Sequence, residues 1–171
     1  MRCQRGERVA WEELVAIWER PLYYYVRRMT RSEDDALQTL QDAWVQVFSS
    51  LPTLKDPQRL AAWLYTIARR AVQKRIADYG DDRVVTADVH ESPDLHRDQE
   101  DVLQSADFVH WGLDRLAHQQ REVLVLFFLE DLSLREVAEL LAIPVGTVKS
   151  RLSKAREELK TLLERSENSH E

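Results

Sequence analysis

The sequence predicts an all-α protein built from two small helical domains joined by an acidic linker. Apolar residues recur at helical spacing in two blocks, and no set of alternating segments supplies partner strands for a sheet. Between the blocks the helical periodicity fades. Residues 79–100 contain Gly80, Pro93 and seven acidic residues, a composition typical of a solvated linker. We therefore predict domains at residues 8–78 and 101–165, with the linker at 79–100.

The first helical segment covers residues 9–29. Its apolar stripe consists of Leu14, Ile17, Trp18, Leu22, Tyr25, Val26 and Met29. Pro21 interrupts the segment, and proline both removes an amide donor and clashes with the preceding turn. The sequence predicts either a kink at Pro21 or one helix that ends there while another starts.

Two further helices complete the first domain. Ser32 is a candidate N-cap, and Pro52 stops the helix that follows it. The stripe of that helix is Ala36, Leu37, Leu40, Ala43, Trp44, Val47, Phe48 and Leu51. Asp56 and Pro57 are predicted to be the cap and the first-turn residue of the third helix. Its predicted buried face is Leu60, Trp63, Leu64, Ile67, Ala68, Ala71 and Val72.

The second domain is predicted to start near Asp101. Residues 123–129 are apolar throughout and are compatible with a buried strand by composition alone. Because no partner strand is evident elsewhere, a helix is favoured for this stretch too. This helix would support the segment at residues 132–156 from the side opposite its exposed face.

Residues 132–156 have the pattern of a helix-turn-helix. Ser133 and Glu136 form a capping box, and Ile143-Pro144 ends the short helix that it starts. A second helix opens near Val145, with Val148 and Leu152 as buried positions. The second helix of such a unit lies in the major groove of DNA. The alternative is an ordinary amphipathic helix pair with a solvated basic face.

The polar positions of this second helix are the candidate DNA contacts. We predict base-edge contacts for Lys149, Ser150 and Ser153, and phosphate contacts for Arg151, Lys154 and Arg156, with Thr147 also available to solvent. Ala142 occupies the turn between the helices. Alanine is compatible with this turn if its backbone does not take positive φ.

The net charge of −6 argues by itself against nucleic-acid binding, but the charge is unevenly distributed. Residues 1–77 carry 13 Lys/Arg against 9 Asp/Glu, and residues 113–165 carry 9 of each. Residues 78–112 carry 2 against 10. Two basic or balanced blocks therefore flank an acidic connector. The connector is either simply solvated, or it competes with nucleic acid for the surfaces that bind nucleic acid.

Other function classes find little support in the sequence. The five histidines and the single Cys3 form no recognisable metal set, and no phosphate loop, nucleophile elbow or paired carboxylates stand out. We predict no cofactor, no metal and no enzymatic activity. A single cysteine fits a reducing cytoplasm, and the absence of a long apolar run predicts no membrane insertion.

Residues 113–163, with the helix-turn-helix inside them, resemble the fourth conserved region of sigma factors. In the small, extracytoplasmic-function members of that family, this region binds the minus-35 promoter element and the flap of RNA polymerase. The block from Trp11 to Asp78 resembles the second sigma region, which binds the polymerase clamp helices and opens DNA at the minus-10 element. Both matches occur in the family's order, with a linker where these members lack the third region.

The resemblance implies specific site residues in the first domain. The segment Gln41-Asp42-Ala43-Trp44-Val45-Gln46-Val47-Phe48 is similar to the family's clamp-binding segment. It implies that Gln38, Gln41, Asp42 and Gln46 contact polymerase, with a solvated helix face as the alternative.

The segment Trp63-Leu64-Tyr65-Thr66-Ile67-Ala68-Arg69-Arg70 is similar to the promoter-melting helix. The implied minus-10 contacts are Tyr65, Arg69, Arg70, Lys74 and Arg75. Trp63 is assigned to the core by its spacing, and Tyr65 is expected to be the better-exposed aromatic. This chain departs from the family at Gln38, where an acidic residue is usual, and at Arg70, where asparagine is usual.

The implied function is that of a promoter-specificity subunit. Its partners would be core RNA polymerase, promoter DNA and an anti-sigma factor. A stand-alone helix-turn-helix regulator that does not need polymerase is the alternative, and a nucleic-acid enzyme is a weaker one.

Overall fold

The computed structural model describes residues 2–78 and 109–167 of the chain. Over these two stretches the regular elements are helical and no strand occurs, so the all-α prediction is confirmed. The predicted linker at 79–100 and the expected start of the second helical block lie outside the described residues.

Three helices form the N-terminal domain: α1 (Arg8–Met29), α2 (Glu33–Ser50) and α3 (Leu60–Asp78). Both predicted caps are present. The Ser32 side chain accepts a hydrogen bond from the Asp35 amide, and the Asp56 side chain accepts one from the Gln58 amide. A short 3-10 turn at Pro57–Arg59 leads from Asp56 into α3.

Helix α1 continues through Pro21, so the expectation that one helix ends there and another starts is wrong. Leu14 on one side of the proline and Leu22 and Tyr25 on the other are all buried in the same core. A proline inside a helix costs about 3 kcal/mol, whereas burying a large apolar side chain contributes about 1.5–3 kcal/mol. Tertiary packing on both sides of Pro21 therefore outweighs the broken hydrogen bond.

The C-terminal domain is a second helical unit. Its elements are α4 (residues 109–115), α5 (His118–Leu124), a π-helical turn (Val125–Leu129), α6 (Leu134–Leu141) and α7 (Val145–Glu167). The apolar stretch 123–129 is helical, as favoured from the sequence. Its first four residues are buried, while Phe128 and Leu129 are exposed.

The turn between α6 and α7 places Ala142 in the left-handed region, with φ 55° and ψ 44°. The Ala142 and Ile143 amides donate to the carbonyls of Glu139 and Ala138, which closes the end of α6. The condition under which alanine would be unstrained is therefore not met. A non-glycine residue pays about 1–2 kcal/mol for this conformation.

Replacing Ala142 with glycine is expected to raise the free energy of unfolding by about 1 kcal/mol, because relief of the backbone strain exceeds the greater freedom of glycine in the unfolded chain. Denaturant titration measures the change. Ala16→Gly is the matched control, since Ala16 is also exposed but lies inside α1, where glycine costs about 1 kcal/mol relative to alanine. That variant is expected to lose stability, and a loss at both positions would contradict the assigned strain.

The two domains pack against each other and share one buried apolar cluster. Helix α1 contacts α5 and the π-helical turn, and α3 contacts α6. Leu22 and Val26 of the first domain and Leu116 and Val123 of the second belong to this cluster. The relative position of the domains is therefore set by packing as well as by the polar contacts described below.

Candidate nucleic-acid and polymerase interfaces

The helix-turn-helix is built as its residues predict. The Ser133 hydroxyl accepts from the Glu136 amide at 3.2 Å, and the Glu136 carboxylate accepts from the Ser133 amide at 2.8 Å. Both bonds of the capping box are thus present. On α7, Val148 and Leu152 are buried, together with Ala155. These three residues pack one face of α7 against the rest of the domain, and the opposite face is exposed to solvent.

Most of the predicted DNA contacts lie on that free face. Lys149, Ser150, Ser153, Lys154 and Arg156 are exposed, whereas Thr147 and Arg151 are half-buried. At 100° per residue, Ser150 and Ser153 lie opposite the buried stripe, with cations on both flanks. The arrangement presents small polar side chains between positive charges, which suits a groove bordered by phosphates.

Helix α2 presents a second exposed surface. The four predicted polymerase contacts, Gln38, Gln41, Asp42 and Gln46, are all exposed. Leu37, Val45 and Phe48 are also exposed, at 52%, 59% and 46%, although the spacing had placed Leu37 and Phe48 on the buried stripe. Since Leu37, Gln41, Val45 and Phe48 follow i, i+4, i+8, i+11 spacing, they share one face.

Sequence reasoning missed this apolar part of the α2 face. The signal was present, because the apolar residues of α2 cover more of the helix circumference than one buried stripe needs. Trp44 and Trp11 both lie against the Phe48 ring, with centroids 6.0 and 4.8 Å away. Exposed apolar side chains gathered on one helix face are a feature of interaction surfaces.

The α3 residues predicted to contact the minus-10 element are only partly accessible. Arg70 and Lys74 are exposed, but Tyr65 is 1% exposed. The expectation that Tyr65 is the better-exposed aromatic is therefore wrong, and Trp63, assigned to the core, is half-buried. Both domains bury Tyr65: its ring packs edge-on against Trp18 and Tyr25 of α1, with centroids 6.2 and 5.6 Å away, and its hydroxyl donates to the Glu130 carboxylate of the second domain.

Two predicted arginines on α3 are also engaged. Arg69 Nε donates to Glu122 of α5 at 3.0 Å. Arg75 forms an ion pair with Asp35 at 3.3 Å and donates to the Gln38 side chain on α2. Gln38, one of the departures from the family pattern, therefore contacts a predicted DNA-binding residue directly.

The interface between the domains is rich in polar groups. Glu122, with 6% of its side chain exposed, accepts hydrogen bonds from both Tyr25 and Arg69 at 3.0 Å. Beside this group, Arg28 of α1 pairs with Asp114 at 3.0 Å. Burial is the main cause of the raised pKa of the Tyr25 phenol, and the Glu122 carboxylate adds to it.

Glu130 is a second partly buried carboxylate at this interface, and burial disfavours its charged form. Burial raises the pKa of its carboxyl to about 7, although the hydrogen bond from Tyr65 opposes the shift. Between the unfolded pKa near 4.5 and about 7, the folded protein binds a proton that the unfolded chain does not. The contribution of Glu130 to the free energy of unfolding is therefore largest at low pH, and it falls as the pH rises through that range.

Replacing Glu130 with glutamine is expected to remove this pH dependence, because the amide resembles the protonated carboxyl. The melting temperature of the variant should match that of the wild type near pH 5 and exceed it at pH 8. His118 is common to both proteins and its lowered pKa comes from burial and from neighbours other than Glu130, so its contribution cancels in the difference. Glu157→Gln controls for loss of an exposed charge. A difference between variant and wild type that does not change with pH would refute the assignment.

Among the described residues, no group of histidine, cysteine and carboxylate side chains could hold a metal ion. The described helices also include none that is long and apolar enough to cross a membrane. An open groove of about 480 Å³ lies where α3 meets α6 and is lined in part by Arg59, Trp63 and Glu139. An exposed ion pair between Arg59 and Glu139 joins the two domains there.

Comparison with known proteins identifies both halves. Residues 14–80 match the family model for sigma-70 region 2, and residues 112–159 match that for sigma-70 region 4. The ECF RNA polymerase sigma factor SigW of Bacillus subtilis is 27% identical over 95% of this chain and 93% of its own length. SigV of the same organism is 31% identical over 73% of this chain and 74% of its own.

A solved structure is similar over both domains. It is the sigma factor RpoE in complex with the anti-sigma factor NepR from Bartonella quintana. The likeness has a TM-score of 0.76, with 25% identity, and covers 91% of this chain and 97% of that one. With both conserved regions matched in order, the chain belongs to the extracytoplasmic-function group of sigma-70 factors, the subunits that direct RNA polymerase to promoters.

Proposed function

We propose that α7 of this sigma factor reads the minus-35 element, with Lys149, Ser150 and Ser153 at base edges and Arg151, Lys154 and Arg156 at phosphates. The observation that carries the proposal is the exposed polar and basic face of α7, held outward by buried Val148 and Leu152. Thr147, at the start of the helix, is a further candidate. A DNA groove has phosphates along both of its edges. A helix lying in the groove can contact them through the cations on its two flanks.

Polymerase binding is assigned to the exposed face of α2. Gln38, Asp42 and Gln46 supply polar contacts beside the exposed apolar side chains of Leu37, Val45 and Phe48, and Gln41 lies among those apolar side chains. Protein interfaces combine apolar side chains with polar groups in this way. In the second domain, exposed Phe128 and Leu129 are the candidates for contact with the polymerase flap.

Promoter melting is assigned to α3, through Tyr65, Arg69, Arg70, Lys74 and Arg75. Arg70 and Lys74 are accessible in the free protein, while Tyr65 and Arg69 each form a hydrogen bond to the second domain, and the Tyr65 ring also packs against α1. Capturing unstacked bases needs an aromatic surface together with cations for the strand. Full use of α3 therefore needs the two domains to separate.

The remaining proposals rest on the sequence pattern and on family membership. The functional domains are residues 8–78 and 101–165, joined by the acidic segment at 79–100, and the protein acts in the cytoplasm. It has no catalytic activity of its own, because the chemistry of RNA synthesis belongs to polymerase. An anti-sigma factor is proposed as its inhibitor, since the similar RpoE structure is bound to one.

The test has two steps. Transcription start sites mapped after overproduction of the protein define candidate promoters. The purified chain is then mixed with core polymerase and such a promoter. A stable holoenzyme and run-off transcripts support the proposed function. Specific DNA binding without polymerase contact would instead support a stand-alone regulator.

A further inference from the structure

One aromatic side chain of the second domain lies beside the cations of α7. The Phe128 ring is 48% exposed, and the guanidinium carbon of Arg156 lies over it, 5.7 Å from the ring centroid. Arg156 is the last of the three α7 cations assigned above to DNA phosphates. We propose that Phe128 is a positioning residue that orders the Arg156 guanidinium for a phosphate of the promoter. This inference rests on the proposed role of α7.

Arg156 has no carboxylate partner on its own helix. Side chains three and four residues apart meet on a helix surface. The residues at these spacings from Arg156 are Leu152, Ser153, Leu159 and Lys160. Within residues 2–78 and 109–167, Arg156 also forms no hydrogen bond or ion pair. Its N–H donors are therefore available to an external anion.

An aromatic ring can order an arginine side chain without occupying its donors. The attraction acts between the positive guanidinium and the negative face of the ring, so it uses none of the N–H groups as hydrogen-bond donors. A carboxylate partner accepts hydrogen bonds from these groups, as Glu139 does from Arg59. Phosphate binds arginine through the same donors. Phe128 therefore restricts the Arg156 side chain and leaves its donors to phosphate.

The backbone fixes the position of the Phe128 ring. Phe128 lies in the π-helical turn Val125–Leu129, which is closed by a hydrogen bond of 3.1 Å from the Glu130 amide to the Val125 carbonyl. Val125 is fully buried and anchors the turn. The Phe127 ring packs edge-on against the Phe128 ring, with centroids 4.8 Å apart. π-helical turns of this kind occur often at functional sites.

The position of Arg156 on α7 explains why ordering its side chain matters. Arg156 follows Lys149 by seven residues, so it lies on the same flank, about 10 Å further along the helix and about 20° around it. The start of a recognition helix contacts base edges, and its later cations contact phosphates. An arginine loses rotamer freedom when it binds a phosphate. A ring that already restricts the side chain in the free protein lowers this cost.

The test is a double-mutant cycle, measured as the affinity of holoenzyme for a promoter duplex. Phe128→Leu keeps an apolar side chain but removes the ring, and Arg156→Ala removes the cation. The loss caused by Phe128→Leu is expected to be about 3-fold larger when Arg156 is present than when it is alanine, which is the size of an exposed cation–π contact. Any contact of Phe128 with the polymerase flap cancels in this comparison. Equal losses in both backgrounds would overturn the proposal.

Three further measurements separate positioning from a general structural role. Phe128→Tyr keeps the ring and is expected to bind like the wild type. Phe128→Leu should keep the salt slope of the wild type, since the charge of Arg156 remains, whereas Arg156→Ala should reduce the slope by about 1. Leu129→Ala is the matched control, because Leu129 is a 47% exposed apolar residue of the same turn. Its effect should be the same with and without Arg156. A loss for Phe128→Tyr as large as that for Phe128→Leu would overturn the role of the ring.

The inference and the proposed function can fail separately. If Lys149→Ala and Arg156→Ala both leave the affinity for the promoter duplex unchanged, the reading role of α7 is refuted. If Arg156→Ala weakens binding but Phe128→Leu shows no coupling to it, only the positioning role of Phe128 is refuted. Circular dichroism and the melting temperature of each variant verify that the domain stays folded.

Discussion

Replacing Arg121 with methionine is expected to lower the free energy of unfolding by about 3–5 kcal/mol, because a buried polar network loses its central cation. Arg121 is 4% exposed. Its guanidinium donates to the carbonyls of Arg28, Asp114 and Leu116 at 2.9, 2.8 and 3.1 Å. Methionine fills much of the volume but leaves these acceptors without a donor.

Equilibrium denaturation measures this change, and a fall in melting temperature of roughly 10 °C is expected for a chain of this size. Arg135→Met is the matched control, since Arg135 is exposed on α6 and its replacement should alter stability by less than about 0.5 kcal/mol. Because one Arg121 bond goes to α1, the variant should also weaken domain packing. A loss no larger than that of the control would contradict the assigned role.

Alanine at Lys149 and alanine at Lys154 are expected to impair DNA binding in different ways. Lys149 is assigned to a base edge, so its loss should cost about 1–3 kcal/mol of discrimination between the minus-35 element and a mutated element. Lys154 is assigned to a phosphate. Its loss should weaken binding to every sequence similarly and reduce the slope of log K against log salt by about 1.

Holoenzyme binding to duplexes with intact and mutated minus-35 elements, from 50 to 200 mM salt, distinguishes the two roles. Lys160→Ala is the control, because Lys160 is an exposed lysine of the same helix that pairs with Glu164 at 3.6 Å, three turns beyond Lys149. Its affinity and salt slope should match the wild type. Loss of discrimination in both test variants would contradict the separate assignments.

Local signals in the sequence predicted the helix starts and the helix-turn-helix well. Ser32, Asp56 and the Ser133–Glu136 pair cap the helices that they were expected to cap. Each of these motifs satisfies amides within three residues of itself, so nothing distant has to be known. The buried positions Val148 and Leu152 follow from periodicity in the same way.

Predictions about which side chains are exposed were less successful in the first domain. Tyr65 was expected to be free and is buried, and Phe48 was expected to be buried and is 46% exposed. Helical periodicity identifies an apolar face but does not say what covers it. Tyr65 is covered by Trp18 and Tyr25 of α1 together with Glu130 of the second domain, all of them distant in the sequence. Phe48 lies on a face that no described element covers completely.

The sequence by itself determined the helical class, the caps, the helix-turn-helix and the exposed polar face of α7, because these depend on interactions over a few residues. Only the tertiary structure decided that α1 passes through Pro21, that Ala142 takes positive φ, and that Glu122 holds Arg69. Each of these depends on free energy contributed by distant residues. Packing on both sides outweighs the proline, and contact between the domains places the Glu122 carboxylate against Arg69.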